Sequence, residues 1–251
     1  MISKEEIREL SKRFNIDEVT VLREYLEVLF LSSTYSFKES SNLFFKGGTS
    51  IRLLLGSFRF SEDLDFTSLL ENNKLIHLLE KSVYKMKETV RDIDLKDINK
   101  KKGSFITYLN YKDPQLKYPL NIHMEFSIRE KPLTKKETML ETLYPIVPYP
   151  IIVHLDWKEI LAEKIRALMK RNKGRDLFDV WYLLTKGIKI DIEMVNKKME
   201  YYNEKISFED ILNKVKKLDE KNLYRDLSKF LPATHRKIIK DLKTLVLKEM
   251  S

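Results

Sequence analysis

The run Asp63-Leu64-Asp65-Phe66-Thr67 alternates acidic and apolar residues. Only an extended backbone sends successive side chains to opposite faces. The run therefore predicts a strand with Leu64 and Phe66 in a core and both carboxylates together on the other face. A chain built around such a strand needs a sheet with one face buried and the other open. Two carboxylates held side by side on a rigid strand suit a hard divalent cation, which binds through oxygen and keeps several waters. Alone, an Asp-x-Asp pair is more often a solvated strand surface, so its surroundings carry the argument.

Upstream, the apolar run Leu43–Phe45 leads into Lys46-Gly47-Gly48-Thr49-Ser50, which reads as a strand entering a tight turn. Two glycines at a strand-to-helix turn let the backbone approach a phosphate closely. The N-terminus of the predicted helix Thr49–Leu55 then offers N–H groups and partial positive charge. Thr49 and Ser50 add hydroxyl donors, and Gly56 closes the helix. Downstream, Asn121–Ser127 alternates again, with Ile122, Met124 and Phe126 on one side and His123 and Glu125 on the other. Glu125 is thus the candidate third carboxylate of a two-metal phosphoryl-transfer site.

Further strands are expected at Arg91–Asp97 and Ser104–Tyr111, and helices from Asp17 to about Leu31 and over Lys74–Val90. Pro145, Pro148 and Pro150 mark a boundary. Beyond it the signals are helical: a capping-box-like start at Asp156 with Glu159, a helix to about Arg171, another over Arg175–Thr185, a capped start at Ser207 with Asp210, and two more helices parted at Pro232. The expected fold class is α+β, with a mixed-sheet domain over 1–150 and a helical domain over 151–251. On the first helix of the second half, Lys164 lies beside the stripe of Leu161, Ile165 and Leu168. A snorkelling lysine is the plain reading; near a nucleotide it can reach a phosphate. Asp176 and Asp179 lie three apart at the start of the next helix, where capping is the plain role for Asp176. Lys173 and Arg175 are alternative phosphate contacts.

Lys and Arg exceed Asp and Glu by nine, which suits a polyanionic partner such as nucleic acid. The chain has no cysteine, so disulfides and thiolate metal sites are excluded and a cytoplasmic setting is expected. No apolar run reaches membrane-spanning length, and the charged N-terminus does not read as a signal peptide. The four histidines lack metal-ligand spacing. Lys100-Lys101-Lys102-Gly103 reads as a solvated turn or an RNA contact.

Taken together, the Gly-Gly turn, the Asp-x-Asp strand and the later strand carboxylate resemble the nucleotidyltransferase superfamily related to DNA polymerase β. The fourteen residues between Gly48 and Asp63 are slightly more than the usual spacing. Phe45–Leu53 together with Arg59–Phe66 looks more specifically like the AbiEii/AbiGii toxin family. The second half fits, with Glu163-Lys164 on one helix and Arg175-Asp176-x-x-Asp179 at the start of the next. The resemblance covers roughly residues 20 to 185 and implies a polymerase β-like sheet with a helical bundle completing the active-site cleft. It implies an enzyme in which Lys46, Gly47, Gly48, Thr49, Ser50, Arg59 and Asp179 bind nucleotide. Asp63, Asp65 and Glu125 hold Mg²⁺ or Mn²⁺, and Lys164 and Asp176 support catalysis. The implied reaction is transfer of a nucleoside monophosphate from an NTP to an acceptor such as the tRNA 3′ end, with release of pyrophosphate. The implied setting is phage defence, with a separately encoded antitoxin as partner. Transfer to a protein or small molecule, or nucleic-acid binding without catalysis, are the alternatives.

Overall fold

The computed structural model describes residues 1–101, 103–114 and 116–250; Lys102, within the lysine run, lies outside them. Seven strands form one mixed sheet in the order β3-β4-β5-β2-β1-β7-β6. They are β1 Leu43–Lys46, β2 Asp63–Ser68, β3 Ile93–Lys101, β4 Ser104–Tyr111, β5 Leu120–Ser127, β6 Lys136–Met139 and β7 Ile151–His154. β2 runs parallel to β5 and antiparallel to β1, while β1 runs parallel to β7. The chain divides into two compact units: residues 1–56 with 60–155, and residues 57–59 with 156–251.

The first unit holds the sheet and helices α1 Lys4–Phe14, α2 Glu18–Tyr35, α3 Gly47–Leu55 and α4 Asn72–Met86. The side chain of Asp17 accepts the Thr20 N–H and starts α2. From there α2 buries Val21, Leu22, Leu26, Leu29 and Phe30 with Leu75, Leu79 and Val83 of α4 and one face of the sheet. That sheet face is Leu64, Phe66, Ile122, Met124 and Phe126, as the alternation requires. Phe66 sits between Phe45 and Phe126 at centroid distances of 5.2 and 5.0 Å. These contacts pin the register, because a one-residue slip would send every such side chain to the open face. β7 lies beyond the three prolines yet pairs with β1, so the sheet continues past the stretch read as a boundary, and the unit ends at Leu155.

The second unit comprises α5 Trp157–Lys170, α6 Gly174–Thr185, α7 Ile192–Met199, α8 Phe208–Lys217, α9 Glu220–Leu227 and α10 Ile238–Glu249. Leu161, Ile165 and Leu168 are buried on α5, and Leu177, Val180 and Leu184 on α6. Asp156 caps α5 by accepting the Lys158 N–H, and Glu159 stands at the third helical position, as the capping-box-like start expects. Its carboxylate is buried and takes the Lys198 ammonium of α7 at 2.6 Å. No helix among the described residues is long and apolar enough to cross a membrane.

Candidate active site

β1 delivers the chain to Gly47 at φ +80°, a left-handed conformation that glycine adopts without cost. α3 starts at Gly47 itself, two residues earlier than the sequence suggested. The side chain of Lys46, the N-cap residue, makes no capping hydrogen bond here, and a helix N-terminus presents N–H groups that suit an anion. The turn lies directly against the acidic strand. A β-carbon placed on Gly47 would sit 2.3 Å from Asp65 Oδ2. Thr49 donates its hydroxyl to the Asp63 carbonyl, tying α3 to the first residue of β2, and Ser50 Oγ donates to Gly47 O at 2.9 Å. Both hydroxyls were expected to face a phosphate; in the structure they are buried and brace the turn. Lys46, opposite Asp65 in the β1–β2 register, is buried too.

The parallel pairing of β2 with β5 sets Glu125 opposite Asp65 and His123 opposite Asp63. Paired residues on neighbouring strands point to the same face. Asp63, Asp65 and Glu125 therefore stand together on the open face, with Leu64 and Met124 beneath them in the core. An all-oxygen set of three carboxylates suits a hard divalent cation, though no three His, Asp or Glu side chains among the described residues are already closed into a metal cage.

Two residues that bear on Asp63 were not singled out in the sequence. His123, one of the four histidines without metal-ligand spacing, has Nδ1 3.9 Å from Asp63 Oδ1. Its register two residues before Glu125 was the available signal. Glu27 is an acid at a buried position of α2. Burial first, then Glu24, Asp63 and Glu62, push its carboxyl well above the ordinary range, against the opposing pull of Arg23. A charged residue amid the apolar run of α2 was the signal there.

The remaining candidates gather within the helical unit. Arg59 donates from Nε and Nη2 to the two Asp179 oxygens at 2.8 and 3.0 Å. Lys164 Nζ lies 2.7 Å from Asp179 Oδ2 and 3.9 Å from Asp176 Oδ1. Arg171 grips Asp176 from two nitrogens at 2.7 and 3.0 Å. Both aspartates are buried, so Asp176 is an ion-pair centre as well as a first-turn residue. Burial alone would raise the Asp179 carboxyl; Arg59 and Lys164 outweigh it and hold the carboxyl below its ordinary value. Arg59 is buried on its carboxylate rather than open to a ligand. Arg175 is also engaged, with Asp226 at 3.8 Å and the Phe230 ring at 4.7 Å.

The sequence model of the family described as "Nucleotidyl transferase AbiEii toxin, Type IV TA system" matches residues 30–245. The chain belongs to this family. Membership makes it a nucleotidyltransferase of the AbiEii toxin class, with an NTP as substrate and an antitoxin as counterpart. A search among curated proteins finds no match. Two solved structures share the fold. MenT4, a nucleotidyltransferase toxin of Mycobacterium tuberculosis, has a TM-score of 0.64 at 16% identity, over 98% of this chain and 90% of that one. JHP933 of Helicobacter pylori has a TM-score of 0.59 at 21% identity, over 94% and 93%. This AbiEii chain thus has the mixed α+β fold of nucleotidyltransferase toxins, with a seven-stranded sheet.

Proposed function

We propose that this AbiEii protein transfers a nucleoside monophosphate from an NTP to the 3′ hydroxyl of tRNA, releasing pyrophosphate and acting in the cytoplasm as a phage-defence toxin. The observation that carries the reading is the close approach of the Gly47 backbone to the Asp65 carboxylate, with Glu125 in register beside it. A phosphate-binding turn and a three-carboxylate face at one spot are what phosphoryl-group transfer needs. The first-turn N–H groups of α3 receive triphosphate oxygens. Asp63, Asp65 and Glu125 would hold a divalent cation, Mg²⁺ or Mn²⁺, which when bound supplies charge neutralisation and acidifies the attacking hydroxyl.

The acceptor oxygen forms its bond to the α-phosphorus as the bond to the bridging α–β oxygen breaks. The hydroxyl proton passes to Glu125, and pyrophosphate departs with the bond's electron pair. Within the helical unit, Asp179, itself held by Arg59, fixes the Lys164 ammonium, the positive charge that the family resemblance implies for phosphate. Asp176, bound by Arg171, supports the same lysine. The net charge of +9 favours a polyanionic acceptor.

The test is transfer of label from each α-³²P-NTP to total tRNA with Mg²⁺, for wild type and Asp63→Ala. Label on tRNA that vanishes in the variant supports the reading. Label on protein instead would replace tRNA by a protein acceptor. RNA binding by both proteins without any transfer would sink the catalytic reading.

A further inference from the structure

The polar face of the sheet does not end at Glu125. Lys96 on β3, Tyr108 on β4, His123 on β5 and Asp63 on β2 stand opposite one another in turn. Directly paired residues share a face, so these four form one line of side chains across four strands. With neighbouring strands about 4.8 Å apart, the line spans roughly 14 Å. The His123 and Tyr108 rings meet edge to face, with centroids 5.3 Å apart. Both are half-buried, and Lys96 beyond them is exposed. β3 bulges just after Lys96, at Asp97. Arg129 adds a second cation, 3.8 Å from Glu125. The core contacts of these strands come from Leu109, Ile122 and Leu64 on the other face, so packing of the core does not account for the rings.

We propose that this line is the acceptor subsite. It seats the last nucleotides of a single-stranded RNA 3′ end, with a base against His123 and Tyr108 and its phosphates toward Lys96 and Arg129. The assignment rests on the reading of Glu125 as the carboxylate on the acceptor's side. β5 carries Glu125, and β4 and β3 lie on the far side of it from β2. An acceptor reaching Glu125 from the side away from Asp63 and Asp65 crosses β4 at Ile106, the residue paired with Glu125, and this line runs one side-chain row beside that path on the same face. An unpaired nucleotide brings a flat π-face and an anionic backbone, and rings flanked by cations match both. A polypeptide acceptor brings neither in regular order.

The experiment is initial-rate transfer from the labelled NTP that wild type uses, with tRNA and NTP concentrations varied separately. His123→Ala is expected to raise KM for tRNA about tenfold, the scale of one base–ring stack. Lys96→Gln should raise it about threefold, as loss of one phosphate contact does. KM for NTP should stay within about twofold in both, since uniform acceptor binding alone is lost. His123→Phe, which keeps a ring, should recover most of the loss. An unchanged KM for tRNA in His123→Ala, Tyr108→Leu and Lys96→Gln, with wild type labelling tRNA, overturns the subsite. A loss in His123→Ala that the phenylalanine does not recover overturns the stacking assignment. Label on protein rather than RNA by wild type overturns the subsite together with the tRNA reading, yet leaves nucleotidyl transfer standing. Thermal melts accompany each variant, and if His123→Ala fails to fold, the exposed Lys96→Gln carries the test.

Discussion

Gly47 carries two constraints that no other residue type meets together: a φ of +80° and an α-carbon pressed against the Asp65 carboxylate. Gly47→Ala should therefore cost about 1–3 kcal/mol in backbone strain. By displacing Asp65 it should lower the transfer rate about 100-fold. Rates and melting curves on one preparation check this; full activity would mean that the turn and the carboxylate do not work together. Asp179 makes a different kind of prediction. Asp179→Asn removes the negative charge that Arg59 and Lys164 share inside the helical unit, which should cost about 3–5 kcal/mol. The pH sign follows from the lowered carboxyl. The unfolded chain holds its proton at the ordinary value of 3.8, the folded one only below that. Stability from this group is therefore complete above that pH and is lost as pH falls through the folded value. Acid melting series should show wild type and Asp179→Asn converging below about pH 4. Curves that stay parallel there would assign the acid limb to other groups.

At the level of elements, the helix α7 shows why part of the fold was hidden in the sequence. α2, α3, α4, β2, β4 and β5 were legible because alternation or helical spacing there coincides with a buried face, and caps such as Asp17 and Ser207 mark starts. α7, the short strand β7 and the edge strand β6 were missed. α7 buries Val195 and Met199 together with a lysine, so its stripe reads as mixed, and β6 is short and mostly exposed. The partner of that lysine, Glu159, reads in the sequence only as part of a capping-box-like start, because nothing local reveals a charge whose counter-ion lies 39 positions away. The site was legible in the same uneven way. Asp63, Asp65 and Glu125 follow from period-two alternation, whereas His123 needed the strand register and Arg59 needed its distant aspartate. The buried ion pair also yields a test. Lys198→Met should cost about 3–5 kcal/mol, because Glu159 keeps its burial and loses its ammonium, and Glu163, 3.1 Å from the same nitrogen, loses it too. The double change Glu159→Gln with Lys198→Met should recover part of that, since Glu163 still lacks the ammonium. Chemical denaturation of the four proteins measures the coupling; additive losses would show that the pair does not act as a pair.

For the whole chain, the division into units does not follow the order of the sequence. Residues 57–59 pack with the helical unit, although the chain enters β2 at Asp63 only four positions after Arg59. The Phe58 ring lies 5.1 Å from Phe178, 6.2 Å from Trp181 and 4.5 Å from His235, and Arg59 holds the buried Asp179. A polypeptide of residues 156–251 would carry every helix of the second unit and lack both of these side chains. Removing an aromatic from such a cluster typically costs about 3–5 kcal/mol. Removing one partner of a buried ion pair costs about as much again. Together these losses rival the whole stability of a domain, about 5–15 kcal/mol. The fragment should therefore show helical circular dichroism without a cooperative thermal transition. A synthetic peptide of residues 55–61, supplied in excess, should restore part of the transition by binding the folded form, with a midpoint that rises with peptide concentration. A sharp transition in the fragment alone, indifferent to the peptide, would show that the helices fold without their borrowed segment and that Arg59 matters to Asp179 only for function.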